Sequence, residues 1–190
     1  MARKRKPKME YRYYEIPAGS PVLALLGDKW VQNYGRDIDY LHFHNHLEVG
    51  FCYYGEGTVT FKEDIPFDGN MFTVIPKNFP HTTTSAGDSV SYWEWLFIDA
   101  DKFLREVYKD NPRMAQKVLD RVNRRAHFVR VQDKPQIGAL VQQIIGCMRE
   151  RKEFYLEEVK GLTLALLLQV ARWNREEAEK TEFEAGNSSL

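Results

Sequence analysis

Four of the five histidines fall in or close behind one short segment: His42, His44 and His46 stand with Glu48 in HFHNHLE, and His81 follows downstream. Alternate residues of a β-strand point to the same side, so positions 42, 44, 46 and 48 of an extended segment can converge on one point. Neutral imidazoles and a carboxylate are the donor set of zinc, nickel, iron or manganese. The same side chains can equally line a pocket as hydrogen-bonding groups for an organic ligand. Either use needs a rigid β scaffold around the segment.

The sequence supplies such a scaffold in its first half. Between Tyr14 and Asp99 run short β-branched or aromatic segments, PVLALL, YLHFHNH, LEVGFCYY, GTVTF, MFTVIP and SYWEWLFI, broken by Gly, Pro and Asp. They predict antiparallel strands in a sandwich or barrel. Gly55, Glu56 and Gly57 offer the positive φ of a tight hairpin. Beyond Asp99 the period becomes helical, and helices are expected over 101–110, 112–125, 134–151 and 154–178, with Pro112 and Pro135 near helix starts.

The last of these helices is apolar nearly all round. Tyr155, Val159, Leu162, Leu166, Val170 and Trp173 form one stripe, and Leu156, Leu164, Leu167, Leu168 and Ala171 widen it. Such a helix is covered either by its own barrel and the 134–151 helix or by a second copy of the chain.

Composition limits the classes. The 190 residues, 43% of them apolar, suffice for one core with an appendage. Twenty-seven Lys and Arg balance 27 Asp and Glu, which argues against a domain-wide nucleic-acid surface. Cys52 and Cys147 form no disulfide framework and suit a reducing cytosol, so a cytoplasmic protein is expected. No apolar run reaches membrane-span length, and no signal-peptide pattern follows the basic start.

The spacing His42, His44, Glu48, Gly55 reads HxHxxxExxxxxxG, and Gly69, Pro76, Asn78, His81 reads GxxxxxxPxNxxH. Together they resemble the two signatures of the cupin superfamily, jelly-roll β-barrels whose mouth holds a metal or small ligand. Asn78 stands where the second signature usually has Gly, and the spacing after Gly69 is one residue longer than common. The wording LHFHNHLEVGFCYYGEGTVTF, GNMFTVIPKNFPHTTTS and YWEWLFID, with amphipathic helices following, is similar to the amino-terminal sensor half of AraC/XylS-type transcription regulators over about residues 13–175.

That resemblance implies a β-rich α+β fold: a cupin antiparallel barrel over 14–100 that binds ligand, then a helical dimerisation extension over 101–178. A basic arm (1–13) and a tail (179–190) are expected to lack fixed structure, with Arg3 to Lys8 as a solvated charge run. The helix-turn-helix half that reads DNA in this family is expected to lie outside this chain, which is then a piece of a longer regulator or a stand-alone sensor. A homodimer through 134–175 is implied, as is a small-molecule effector such as a carbohydrate.

Carried over position by position, His42, His44, Glu48 and His81 are the implied metal ligands, and His42, His44, His46, Glu48, His81 and Trp95 the implied ligand-binding set. His46 is extra to the motif and is expected to line the ligand or serve structure. Cys52 is expected in the core, as is at least one of Trp93 and Trp95, the other being free to stack on a sugar ring. His127 is expected at the surface, and Tyr11, Tyr13 and Tyr14 to dock the arm on the barrel. The expectation is a binding module and not an enzyme; the alternative is a metal-dependent cupin dioxygenase or isomerase.

Overall fold

Alternation along single strands sorts the side chains into two cores. In the strand Ser91–Ile98, Trp93, Trp95 and Phe97 join one apolar cluster while Leu96 and Ile98 join another on the opposite face. Leu47, Val49 and Phe51 likewise face away from Cys52 in Leu47–Tyr54. The chain is therefore layered, with a β interior on one side of its main sheet and a helical layer on the other.

The computed structural model describes residues 8–187. Its first strands are Met9–Arg12 (β1), Val22–Leu25 (β2), Val31–Gln32 (β3), Leu41–His44 (β4), Leu47–Tyr54 (β5), Gly57–Thr60 (β6) and Asp64–Phe67 (β7). Met71–Val74 (β8), Thr82–Ser85 (β9) and Ser91–Ile98 (β10) follow. The helices Ala100–Val107 (α1) and Pro112–Val122 (α2) precede a last strand, His127–Arg130 (β11), and then come Pro135–Glu150 (α3) and Tyr155–Asn187 (α4).

The main sheet has the order β11-β8-β5-β10-β2, with β3 also on β10, and all its pairings are antiparallel. A smaller antiparallel sheet, β7-β6-β9, faces it, and β1 pairs parallel with β4. The β-rich α+β class is as expected. The barrel is not continuous: an isolated bridge at His42–His81 links the β1–β4 pair to the chain entering β9, and another at Glu48–Ile75 adds to the β5–β8 pairing within the main sheet.

Gly55, Glu56 and Gly57 do not close the expected hairpin, because β5 and β6 lie in different sheets; at this connection only Gly55 has a positive φ, 120°. A side chain there would also strike Ser91, so both conformation and space select glycine.

Local chemistry sets the helix ends. The Asp99 carboxylate accepts the Lys102 amide at 3.0 Å to cap α1, and Asn111 accepts the Met114 amide at 3.2 Å ahead of Pro112 to cap α2. Helices α2, α3 and α4 pack with α1 on the outer face of the main sheet, burying Val122, Val141, Ile144, Val159, Leu166 and Val170. No helix of the described residues is long and apolar enough to cross a membrane.

Three expectations change. Met9–Arg12, assigned to an unstructured arm, form a strand, while the first seven residues of that arm lie outside the described residues. Helix α4 runs to Asn187, through most of the expected tail; Arg175–Glu179 and Lys180–Glu177 ion pairs one turn apart support the added turns, and 188–190 lie outside the described residues. His127 is buried in β11, stacked on Trp173 at 3.6 Å, with Nε2 2.5 Å from Asn174 Oδ1. It is a hub of the helical layer and not a surface residue.

Candidate metal centre and ligand cavity

His42 and His44 lie on β4 and Glu48 on β5, so one extended segment does not carry all of them. The chain breaks at Asn45 and His46, because Asn45 turns aside to clamp the Tyr14 backbone, accepting its amide at 3.0 Å and donating to its carbonyl at 2.9 Å. The β4–β5 turn then brings Glu48 back beside His44. His81 arrives from across the interior.

The loop that delivers His81 is laced to the same residues by main-chain hydrogen bonds. His42 and His81 exchange two bonds of 2.9 Å, Glu48 and Ile75 exchange bonds of 2.9 and 2.8 Å, and the Asn78 amide donates to the His44 carbonyl at 2.8 Å. Asn78 has φ 61°, so asparagine supplies the left-handed turn that glycine gives the usual signature. The sequence departure leaves the turn intact.

His42, His44, Glu48 and His81 are all buried and each offers a donor atom within 4.8 Å of the others'. His44 Nε2 stands 2.8 Å from Glu48 Oε2 and 3.3 Å from His81 Nε2; the His42 and His81 rings are 4.3 Å apart. Glu48 Oε1 has no hydrogen-bond partner, with His81 Nε2 standing off at 3.5 Å.

The outer ring nitrogens fix the tautomers. His44 Nδ1 lies 3.0 Å from the His46 carbonyl and His81 Nδ1 2.8 Å from the Phe79 carbonyl. A carbonyl only accepts, so each Nδ1 carries the hydrogen and, in the neutral ring, each Nε2 presents a lone pair inward. Two lone pairs and a carboxylate thus face one another with no hydrogen among them, an arrangement that calls for a proton or a metal cation at its centre.

The electrostatics favour an ionised Glu48, a neutral His42 and a proton on His44. Burial would raise the Glu48 carboxyl, but His81 and His44 outweigh it and hold the pKa well below 4.5. Burial opposes protonation of His44, yet the Glu48 charge and hydrogen bond hold its pKa above 6.5. Burial, helped by the neighbouring His81, pushes His42 down to about 3. Ionised Glu48 and neutral His42 are in their ligating forms, whereas His44, held towards its protonated form by Glu48, would give up its proton to a metal.

The residues fit a divalent ion. Atoms bonded to one ion at roughly 2.1 Å lie at most roughly 4.2 Å apart, so side-chain shifts of roughly half an ångström gather the set. The carbonyls of His46 and Phe79 hold two of the three rings in ligating orientation.

The cluster floors a cavity of about 390 Å³, lined among others by His42, Glu48, His81, Arg12, Tyr34 and Trp95. His44 lies behind it, fully buried. Trp95 stacks on Trp93 at 5.0 Å and 5°, leaving Trp93 in the core and Trp95 as the cavity wall, as expected of the pair. Cys52 is a core residue, again as expected. Gly50 lies under Trp95: a Cβ there would sit 2.7 Å from Trp95 Cε3 and 2.8 Å from Thr73 Oγ1.

His46 is not part of this constellation. It bonds Asn45 at 2.9 Å and lines a larger cavity, of about 720 Å³, between residues 13–21 and helices α1 and α4. That cavity has the greater volume, but it contains no comparable cluster, and Tyr14 borders both. Tyr14 stacks on Phe97 at 3.9 Å, so the arm docks on the barrel through it, while Tyr11 and Tyr13 stay exposed. Sequence reasoning missed Arg12, Tyr34 and Arg36 as cavity residues. They reach it through β1–β4 pairing and the chain after β3, neither of which leaves a periodic signal.

No protein-family model and no curated protein matches the chain. Solved structures with similar chains include ToxT from Vibrio cholerae, at TM-score 0.46 and 11% identity, covering 80% of this chain and 55% of that one. Another is ToxT from the same organism with unsaturated fatty acid bound, at TM-score 0.43 and 11% identity over 84% of this chain and 54% of that one. The AraC-like transcriptional activator CuxR matches at TM-score 0.39 and 15% identity over 69% of this chain and 42% of that one. The chain spans about half the length of the ToxT structures it resembles.

Proposed function

We propose that the chain is the effector-sensing part of an AraC-type transcription regulator and not an enzyme. Its effector is a small molecule, a carbohydrate or a relative of one, held in the 390 Å³ cavity. The observation that carries this reading is the convergence of four buried metal-type donors on the floor of a cavity with an aromatic wall. A divalent zinc, nickel, iron or manganese ion held by His42, His44, Glu48 and His81 would supply a Lewis-acidic anchor for ligand oxygens. The protein's own contribution is orientation: main-chain bonds fix the loop 75–81, and Trp95 adds aromatic surface to the cavity wall.

Sensing requires that the ligand prefer one arrangement of arm, barrel and helices. The helical layer is the receiving element, because β5 and β10 carry the cavity on one face and pack against the helices on the other. We assign the homodimer contact to 134–175, where Leu140, Leu162, Leu164 and Leu168 are only partly covered within one chain. On this reading any DNA contact belongs to a separate domain, and the free thiols of Cys52 and Cys147 suit the cytoplasm.

Thermal-shift titration of metal-loaded protein with a sugar panel tests this reading. A saturable rise in Tm that disappears in His81→Ala supports it. No stabilisation by any member contradicts it, and turnover of an organic ligand replaces it with a cupin dioxygenase or isomerase.

A further inference from the structure

The charges that line the cavity narrow the class of its ligand, on the reading that the cavity binds a small molecule. The ionic side chains in its wall are Arg12, Arg36 and Glu48. The Glu48 carboxylate is turned to His44 and His81, with Oε2 engaged by His44 and Oε1 left without a hydrogen-bond partner.

The two arginines have only solvent-side partners. Arg12 uses Nε and Nη2 on Glu10 Oε2, at 3.4 and 3.2 Å, and the Glu10 side chain is 43% exposed. Arg36 meets Asp88 at 3.1 Å, and Asp88 is fully exposed. Ion pairs of this kind contribute little, because water competes for both partners. Neither Glu10 nor Asp88 lines the cavity.

A molecule entering therefore meets two arginines against one carboxylate, whose charge is shared with His44 and His81. A neutral ligand would desolvate Arg12 without giving it a counter-charge, which is unfavourable, whereas a carboxylate forms short charge-assisted hydrogen bonds to a guanidinium. A cation at the His/Glu cluster would add to the same positive potential. The remaining lining is suited to hydroxyls and to a ring: Gln32, Thr82 and Thr83 beside the Trp95 face. A volume of about 390 Å³ is at the small end for ligand pockets.

We infer that the cavity is built for a small hydroxylated carboxylic acid of the sugar-acid class, its carboxylate paired with Arg12 and its body against Trp95. Arg12 thereby sets specificity for charge.

Isothermal titration of the whole chain with matched pairs tests this: D-galacturonate against D-galactose, D-glucuronate against D-glucose, and D-gluconate against sorbitol. At least one acid should bind at least tenfold more tightly than its neutral partner, and rising NaCl should erode the preference. Arg12→Gln should abolish the preference while metal content and Tm stay at the wild-type value; Arg36→Gln is the substitute if Arg12→Gln fails to fold. Neutral sugars binding as well as the acids, or an acid preference that survives Arg12→Gln and Arg36→Gln, overturns the inference and leaves the sensor reading standing. No saturable binding by either series overturns both.

Discussion

His44 and His81 point their Nε2 atoms at each other across 3.3 Å, while each ring's other nitrogen is committed to a backbone carbonyl. Neutral rings so held cannot hydrogen-bond to one another, and the nearest charged group, Glu48, only accepts. Either a proton on His44 Nε2, donated to Glu48, or a metal cation between the rings resolves the conflict. The same reasoning separates these two histidines from His46, which lines a different cavity.

Glu94 is the buried charge of the helical side. Its carboxylate accepts from Gly27 N at 2.8 Å, Tyr53 Oη at 2.7 Å and Tyr92 Oη at 2.8 Å, and Arg149 of α3 reaches both its oxygens. Removing Arg149 leaves a fully buried carboxylate without its counter-ion. A fully buried pair broken this way costs about 3–5 kcal/mol; Arg149 is partly solvated, so Arg149→Met should cost about 2 kcal/mol in urea unfolding. Replacing both, as Glu94→Met with Arg149→Met, should recover most of that loss.

Glu94 also predicts an acid limb. Burial would raise its pKa, but Arg149 and the Tyr53 hydroxyl outweigh burial and hold it below 4.5. The unfolded chain then binds the proton first, so the stabilisation is present above pH 4.5 and is lost as pH falls through the lower folded value. Urea midpoints at pH 6 and pH 3.5 should differ less in Glu94→Gln than in wild type.

Burial likewise lowers the pKa of His127 from 6.5. A depressed histidine is neutral when folded and protonated when unfolded, so stability falls as pH drops below 6.5 toward the folded value. His127→Gln, which retains a donor for Asn174, should lose less Tm than wild type between pH 7.5 and 5.5, while starting lower because the stack on Trp173 is gone.

Gly50→Ala places a methyl group against Thr73 Oγ1 and against Cε3 of Trp95, the cavity-wall residue. Overpacking of this kind costs about 1–3 kcal/mol. Calorimetric unfolding should show the loss, and any ligand that stacks on Trp95 should bind more weakly.

The strands whose side chains alternate, β5 and β10, and the four helices were readable because their apolar period is set by the cores they face. Strands β1, β7 and β9 were not. β1 lies within a basic segment and β9 is TTTS, and both owe their form to distant partners, while β7, DIPF, pairs locally with β6 but is interrupted by Pro66. His127 escaped because four residues of strand carry no period and its stacking partner lies 46 positions away. The grouping of His42, His44, Glu48 and His81 was legible from residue types and spacing, although a single strand was the wrong reason for Glu48: a turn at Asn45 and His46 separates it from His44.

The account stands most directly on metal content. Chain prepared without a polyhistidine tag, then analysed by inductively coupled plasma mass spectrometry, should contain or take up about one divalent transition-metal ion per chain. The His44→Ala, His81→Ala double variant should lose it while its circular dichroism keeps the wild-type form. A wild-type chain that neither contains nor takes up such an ion, or a double variant that retains one, contradicts the account.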